Sequence, residues 1–290
     1  MPWPLEASKG AVAIMESFFT FLEKRVSDCS SLLCVGLDPH LSDLSVPSAE
    51  AAASFCIDLV ERTAPYAAAF KPNAAFFEQF GAPGWAALEK VIAAVRERSQ
   101  RLGSLIPVIL DAKRGDIAST AEAYARSSFY ALGAHAVTLS PYLGRDSVEP
   151  FLNDPEKGAF LLCRTSNPGA ADLQDLEIAG TGEPLYLAVA RQAQAWNSRN
   201  NIGLVVGATQ LEPMARIRRA TPGLWFLAPG IGAQGGDLEA ALQAGLRPDG
   251  RGLLLPVSRA ISRAPDPGKA AAELRDRIID IQYRLTRSKA

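Results

Sequence analysis

The sequence predicts a single (β/α)₈ TIM barrel of the α/β class, and three observations lead to this prediction. Eight short apolar runs recur along the chain, each ends in a polar or glycine-bearing turn, and alanine-rich amphipathic segments separate them. The runs are apolar on successive residues, as in parallel strands that are buried on both faces. A length of 290 residues and a hydrophobic content of 48% suit one barrel with a large core.

The candidate elements follow one another in βα order. The predicted strands span residues 32–38, 66–72, 105–113, 134–140, 159–166, 202–209, 224–232 and 252–259. Residues that favour helix starts precede three of the amphipathic segments: Ser48, Ser119 and Asp237. A helix near residues 11–26 is expected to cap the barrel floor, and the tail 266–286 supplies the last helix. We therefore expect one domain over residues 1–290, with an open doubly wound sheet as the competing architecture.

The amino-acid composition limits the classes of partner and ligand that we expect for this protein. Lysine and arginine number 30 against 31 acidic residues, so the chain lacks the positive charge expected of a nucleic-acid-binding protein. The four cysteines show no Cys-x-x-Cys spacing, and neither a zinc site nor a disulfide is expected. The N-terminus lacks the pattern of a signal peptide, and no apolar run approaches the ~18 residues that span a bilayer. We expect a cytoplasmic protein without membrane partners.

Charged side chains end the first three predicted strands: Asp38, Lys71, Asp111 and Lys113, with Asp116 just beyond. Catalytic residues of such barrels gather at these positions, and each charge is costly to bury unless it is paired. The period of two along a strand directs Asp111 and Lys113 to the same face, towards the barrel interior. The pattern predicts a catalytic centre, while a structural ion-pair cluster at the barrel mouth is the alternative.

The glycine-rich segment 229–236 is the second candidate site. It contains a literal Gly-x-Gly-x-x-Gly after a strand and before a helix, which raises the possibility of dinucleotide binding. However, six predicted strands precede it, and the next strand ends in Ser258 and Arg259 rather than in an acid that could bind a ribose. Loops after strands seven and eight of a barrel commonly bind phosphate through backbone N–H groups. We therefore predict a phosphomonoester site, to which Arg259 contributes a bidentate donor.

Neither histidine of the chain has a sequence context that indicates catalysis. His40 and His135 are isolated, and no residue is placed to form a triad or a metal site with either of them. We predict structural roles for both.

Three segments resemble the orotidine 5′-monophosphate decarboxylase family. They are FKPNAAFFEQFG at 70–81, DAKRGDIAST at 111–120 and PGIGAQGGD at 229–237. The resemblance extends from about residue 30 to residue 262 and is closest to the longer bacterial (type 2) subgroup, which carries the DAKRGDI motif. It implies the substrate orotidine 5′-monophosphate and the product uridine 5′-monophosphate, in the last step of de novo pyrimidine biosynthesis.

The resemblance also implies roles for individual residues of the centre. Asp38 and Lys71 would hydrogen-bond the ribose hydroxyls, and Lys71 would also belong to the charged network. Asp111 would lie against the substrate carboxylate, and Lys113 would be the proton donor. Ser166, after the fifth strand, would contact the pyrimidine.

The remaining implied roles concern a dimer interface and the phosphate. Asp116, Ile117 and Thr120 would reach across a homodimer interface into the partner's active site, so that the two sites are shared. Gln234 and Arg259 would grip the phosphate.

The chemistry of this reaction suits the charged residues. Loss of CO₂ from C6 of the substrate leaves a carbanion without π-delocalisation, and no electron-sink cofactor is evident, so we expect none. Stabilisation must then come from preorganised charge, with protonated Lys113 where negative charge develops. Asp111 and Asp116, which flank Lys113 in the sequence, favour its charged form. Lys113 can then deliver a proton to C6.

Two other functions share features with this one. Sister barrel enzymes with the same Asp-x-Lys-x-x-Asp core are metal-dependent sugar-phosphate decarboxylases or aldolases. They carry a metal-binding acid at the end of the second strand, where this chain has Lys71, which would repel Mg²⁺. A non-catalytic nucleotide-binding barrel is the second alternative, although it would not require a lysine flanked by two carboxylates.

Overall fold

The computed structural model describes residues 16–231 and 236–287, and eight parallel strands run through them. The strands are β1 Leu33–Leu37, β2 Ala69–Pro72, β3 Ile109–Arg114, β4 Ala136–Leu139, β5 Gly158–Arg164, β6 Ile202–Val206, β7 Phe226–Leu227 and β8 Leu253–Val257. Each of the eight predicted strands is confirmed within its predicted run, except that β3 continues to Arg114 and β5 begins one residue early, at Gly158. β7 is the shortest strand, with two residues.

The sheet closes into a barrel. Neighbouring strands pair in the order β2-β1-β8-β7-β6-β5-β4-β3. Parallel bridges between Phe70 and Val108 and between Asn73 and Asp111 then join β2 to β3. The backbone N–H of Ala74 also donates to the carbonyl of Asp111 at 3.1 Å. The predicted (β/α)₈ barrel is therefore confirmed, and the open doubly wound alternative is wrong.

Burial on both faces explains why the strand sequences are continuously apolar. Every residue of β1, β4, β6 and β8 is buried, because one face packs inside the barrel and the other lies under the helices. Charged residues interrupt this apolar pattern at Lys71 in β2, from Asp111 onwards in β3 and at Arg164 in β5. These positions lie at the C-terminal ends of their strands, which is the catalytic face of such barrels.

The helices surround the strands and connect them. They are α1 Phe18–Cys29, α2 Ala49–Thr63, α3 Ala75–Glu78, α4 Ala82–Leu102, α5 Ala118–Arg126, α6 Arg145–Val148, α7 Leu185–Trp196, α8 Leu211–Ala220, α9 Leu238–Gly245, α10 Arg259–Ser262 and α11 Pro267–Arg287. Within the described residues, none of the helices combines the length and the apolar character needed to cross a bilayer.

Two of the three predicted helix starts are confirmed. The side chain of Ser48 accepts a hydrogen bond from the N–H of Ala51, and Asp237 caps α9 through two N–H groups. Ser119 was expected to start a helix, and this is wrong. Helix α5 begins one residue earlier at Ala118, and its N-cap position is Ile117, whose side chain makes no capping hydrogen bond.

Helix α1 packs against the N-terminal ends of the strands. The ring of Phe18 fills the space beside Gly158, and Phe19 stacks parallel to Trp225 at 6.2 Å between ring centroids. Gly158 opens β5 and Trp225 directly precedes β7. The helix begins at Phe18, capped by Ser17, and ends at Cys29, so it is shifted from the predicted range 11–26. The part of that range before residue 16 lies outside the described residues.

Candidate active site

Asp111 lies between two lysines at the mouth of the barrel. Its Oδ2 accepts a hydrogen bond from Nζ of Lys71 at 2.9 Å, and its Oδ1 accepts one from Nζ of Lys113 at 2.6 Å. The hydroxyl of Thr138, on β4, donates to the same Oδ1 at 3.0 Å. The three charged side chains therefore converge as the sequence predicted, although three different donors fix the carboxylate.

Lys113 reaches this position through an irregular backbone. It has a φ of +48°, in the left-handed region that residues other than glycine rarely adopt. The register between β3 and β4 also shifts between Leu110 and Arg114. The hydroxyl oxygen of Thr138 accepts the N–H groups of Ala112 and Lys113 at 3.1 and 2.9 Å, which stabilises this bulge. A regular strand was expected to place Asp111 and Lys113 on the same face. The strand instead contains a bulge, which still brings the side chain of Lys113 into contact with Asp111.

Burial differs strongly among these groups. The side chains of Lys71 and Asp111 are 8% and 12% exposed, whereas that of Lys113 is 50% exposed and borders open space. Burial alone would raise the pKa of Asp111, but attraction by Lys71 and Lys113 outweighs it and holds that pKa well below its usual value. Burial alone would lower the pKa of Lys71, but Asp111 and Asp38 outweigh it and raise that pKa above its usual value.

Asp38 completes the charged cluster from β1. Its Oδ1 lies 4.0 Å from Nζ of Lys71, and this oxygen is buried without a hydrogen-bond partner in the described part of the chain. A buried carboxylate oxygen in this state is ready to accept a donor from a bound molecule.

Two adjoining cavities open at the mouth of the barrel. The first, of about 270 Å³, is called the Lys113 cavity, and Lys113, Thr138 and Ser166 line it. The second, of about 230 Å³, is called the Arg259 cavity. Lys71, Pro229 and Pro256 line both cavities, so the two form one continuous cleft.

The Arg259 cavity contains the described part of the predicted phosphate site. Its walls include Gly230, Ile231 and Arg259. A parallel bridge between Ile231 and Gly236 closes the base of the glycine loop, and the N–H of Gly236 donates to the carbonyl of Gly230 at 3.2 Å. Gln234, predicted to contact the phosphate, lies outside the described residues.

Ser166 sits on a segment that is anchored at its base. The guanidinium of Arg164 binds both carboxylate oxygens of Asp175 at 2.9 and 3.0 Å. The amide of Gln174 accepts from the N–H of Thr165 at 2.8 Å and donates to its hydroxyl at 3.0 Å. Ser166 also packs on Gly207, where a Cβ would approach its backbone nitrogen to 3.1 Å.

Three predicted site residues lie apart from the cleft of their own chain. Asp116, Ile117 and Thr120 line neither cavity. The carboxylate of Asp116 accepts the N–H of Ile117 at 2.8 Å, and no ion pair joins it to Lys113 within the described residues. Ile117 is 54% exposed. Asp116 was expected to favour the charged form of Lys113, but within one chain it makes no ion pair with that lysine among the described residues.

Thr138 and His40 are polar residues of the cleft that were not predicted from the sequence. Thr138 is a polar residue near the end of an apolar run, and that position could have indicated its role. His40 lines the Arg259 cavity, with its ring edge-on to Phe76 at 4.5 Å. His135 instead lies away from both cavities, and its Nδ1 accepts the N–H of Val108 at 3.1 Å, in keeping with a structural role.

Within the described residues, no group of three or more His, Cys, Asp or Glu side chains is arranged to hold a metal ion. The chemistry available to the cleft itself is that of clustered charge. It comprises one carboxylate held by two lysines, a half-exposed ammonium group and an arginine at the far end.

Comparison with known proteins identifies relatives over most of the chain. The family model described as "Orotidine 5'-phosphate decarboxylase / HUMPS family" matches residues 31–274. An orotidine 5′-phosphate decarboxylase of Roseiflexus castenholzii is 51% identical over 263 residues, which cover 89% of this chain and 93% of that protein.

Solved structures agree with this comparison. The orotidine monophosphate decarboxylase of Leishmania donovani is 52% identical, with a TM-score of 0.83, and the match covers 92% of this chain and 100% of that one. The UMP synthase of the same organism is 54% identical with a TM-score of 0.84, and the present chain spans 57% of its length.

Proposed function

The chain belongs to the orotidine 5′-phosphate decarboxylase / HUMPS family, and on this premise we propose how its residues carry out the reaction. The enzyme decarboxylates orotidine 5′-monophosphate to uridine 5′-monophosphate, in pyrimidine biosynthesis. From the DAKRGDI motif at 111–117, we propose that the chain belongs to the longer bacterial (type 2) subgroup of this family. We also propose that residues 1–290 form one domain, and that the enzyme acts in the cytoplasm.

The position of Lys113 carries the proposed mechanism. Its ammonium group is held by Asp111 at 2.6 Å, and its side chain is half exposed and lines the Lys113 cavity. A cation fixed at that place stabilises the negative charge that develops at C6 as CO₂ departs. No reorganisation is needed during the reaction, because Asp111 and the bulge already hold the lysine.

Lys113 then acts as the general acid. Its N–H bond breaks, the proton forms the new C6–H bond, and a neutral amine remains until solvent returns a proton. Asp111 stays ionised throughout, since Lys71 and Lys113 hold its pKa well below the usual value. A carboxylate that is charged at neutral pH orients Lys113 and lies against the substrate carboxylate.

The shape of the cleft supports the placement of the substrate. The pyrimidine occupies the Lys113 cavity beside Ser166, and the phosphate occupies the Arg259 cavity. The ribose lies between them, where Lys71 borders both cavities and Asp38 presents a carboxylate oxygen without a partner among the described residues. Gln234 is proposed as a second phosphate ligand beside Arg259.

A homodimer with shared active sites is proposed from the loops after β3 and β4. The N–H of Ser140 donates to the carbonyl of Arg114 at 2.7 Å, so the two loops lie together. They expose Ile117 and Tyr142, at 54% and 80%. Large exposed apolar side chains beside an active site favour an interface. Asp116, Ile117 and Thr120 of one chain are proposed to enter the partner's site there.

A direct assay tests the proposed function. Loss of the ultraviolet absorbance of orotidine 5′-monophosphate is followed with purified enzyme, with and without excess EDTA. We expect equal rates, because Lys71 occupies the position at which the metal-dependent sister enzymes carry an acid. Activity that disappears with EDTA and returns with Mg²⁺ would contradict the proposed metal-independent mechanism.

A further inference from the structure

One wall of the Arg259 cavity is formed by a histidine to which the proposed mechanism gives no role. His40 follows β1, and its side chain is half-buried and lines the cavity together with Asp38 and Arg259. Strands β1 and β8 are hydrogen-bonded neighbours, with Val35 paired to Val257. His40 and Arg259 therefore stand on adjacent loops of the same cavity.

Contacts hold both the imidazole ring and the backbone of His40. Its ring lies edge-on to Phe76 at 4.5 Å, and Phe76 lines the same cavity. Its backbone N–H donates to the carbonyl of Asp38 at 2.9 Å, which fixes the turn, and its own carbonyl accepts the N–H of Asp43 at 2.9 Å.

An ion pair ties this turn to the segment that carries Arg259. The guanidinium of Arg263, just after α10, lies 3.0 Å from the carboxylate of Asp43. The loop after β1 and the loop after β8 are thus joined beyond the cavity. A ligand that contacts both loops meets side chains that are already positioned, so less conformational entropy is lost on binding.

The charges in this cavity favour an anion beside His40 and Arg259. The charge of Lys71 is matched by Asp111 at 2.9 Å and by Asp38 at 4.0 Å. Arg259 is exposed and makes no ion pair or side-chain hydrogen bond within the described residues. The unmatched positive charge of the cavity therefore lies next to the histidine, whose imidazole offers an N–H donor in either tautomer.

We propose that His40 is a further substrate-binding residue of this enzyme, which donates a hydrogen bond to the substrate phosphate from the β1 side while Arg259 binds from the β8 side. Phe76 and the Asp43–Arg263 ion pair act as positioning groups for this contact. The inference rests on the proposed placement of the phosphate in the Arg259 cavity.

Replacement of His40 by phenylalanine tests the hydrogen bond. The variant His40→Phe keeps an aromatic ring against Phe76 but has no N–H donor, whereas His40→Asn restores a donor. We expect His40→Phe to lower kcat/KM for orotidine 5′-monophosphate about tenfold to a hundredfold, as for a lost hydrogen bond to a charged group. With orotidine, which lacks the phosphate, the change should stay within about twofold. His40→Asn should recover part of the loss.

Controls separate this inference from the proposals on which it depends. Leu41→Ala alters the next residue of the turn, which is exposed and does not line the cavity, and should behave like the wild type. Titration with uridine 5′-monophosphate and with uridine gives a second readout, in which only the nucleotide loses affinity for His40→Phe.

Equal losses with both substrates, or no loss, would overturn the role of His40. If Arg259→Ala discriminates between the substrates while His40→Phe does not, the inference alone fails. If neither variant discriminates, the placement of the phosphate fails with it.

Discussion

Lys71 and Asp111 form a buried ion pair at the mouth of the barrel, with Nζ of Lys71 2.9 Å from Oδ2 of Asp111. Lys71 is also the nearest described cation to Asp38, at 4.0 Å. One ammonium group is therefore shared by two carboxylates whose side chains are each at least 85% buried, and Asp111 additionally binds Lys113. Removal of one partner from such a group leaves uncompensated buried charge.

The first prediction concerns Lys71 and stability. Lys71→Met should lower the free energy of unfolding at pH 7 by about 3 kcal/mol, because Asp38 loses its nearest described cation and Asp111 keeps only Lys113. The pKa of Asp111 is depressed in the folded protein, so its contribution is present above about pH 4 and is lost as the pH falls further. The difference between variant and wild type should therefore shrink below about pH 4.

Urea denaturation across this pH range measures the effect. Lys269→Met is the matched control, because Lys269 pairs with Glu273 on the surface of α11 and both side chains are largely exposed. Such a pair contributes about 0–1 kcal/mol. A Lys71→Met protein as stable as this control at pH 7 would show that the ion pair does not stabilise the fold.

The second prediction concerns Lys113. Lys113→Ala should abolish turnover and leave the fold intact, because the side chain is half exposed and serves charge and proton delivery rather than packing. Single-turnover assays and thermal unfolding measure both effects. Lys90→Ala, on the exposed face of α4, is a control that should keep full activity. Turnover at the wild-type rate in Lys113→Ala would rule out the proposed mechanism.

The barrel could be predicted from the sequence because the apolar runs that form its strands are local and repeated. Each strand is buried on both faces, so each is a run of apolar residues that can be recognised without knowledge of its neighbours. The charged residues could be placed at the mouth for the same reason, since Asp38, Lys71 and Asp111 end their strands.

The details of the site depend on contacts between strands, and these were not predictable from one run at a time. The left-handed backbone of Lys113 is stabilised by the hydroxyl of Thr138, which is 25 residues further along the chain. Likewise, the ring of His40 packs in the Arg259 cavity against Phe76, which lies in α3, after a different strand. Isolated in sequence, this histidine gave no indication of its surroundings.

The third prediction concerns the phosphate. If Arg259 uses remote binding energy to stabilise the transition state, orotidine should react with a lower kcat as well as bind more weakly. Arg259→Ala should cost about 2–5 kcal/mol in kcat/KM for the nucleotide. Arg277→Ala, exposed on α11 and absent from both cavities, should cost little. An effect confined to KM would mean that the phosphate only tethers the substrate.

The fourth prediction concerns the anchor of the Ser166 segment. Asp175→Asn weakens the bidentate contact with Arg164, whose side chain is 9% exposed. The wall of the Lys113 cavity should then be less well positioned, and KM should rise about tenfold, equivalent to ~1.4 kcal/mol. Glu183→Gln is the control, because Glu183 lies on the same connection but pairs with the exposed Arg191 of α7. Equal KM values for the two variants would contradict the anchoring role.

The fifth prediction tests the shared active site. Asp116 makes no ion pair with Lys113 of its own chain within the described residues, and it sits beside the exposed Ile117. We therefore expect Lys113→Ala and Asp116→Ala homodimers to be nearly inactive, each for a different reason. After the two are unfolded together and refolded, roughly half of the dimers should be mixed if the chains pair at random.

Each mixed dimer contains one site with Lys113 from one chain and Asp116 from the other, so that site is intact and its companion lacks both groups. Because half of the dimers carry one intact site of two, roughly a quarter of wild-type activity should return under this two-fold symmetry. Each parent refolded alone is the control and should stay inactive, whereas refolded wild type should recover its activity. If proven heterodimers remain as inactive as the parents, Asp116 acts within its own chain. The apolar loops after β3 and β4 would then need another explanation.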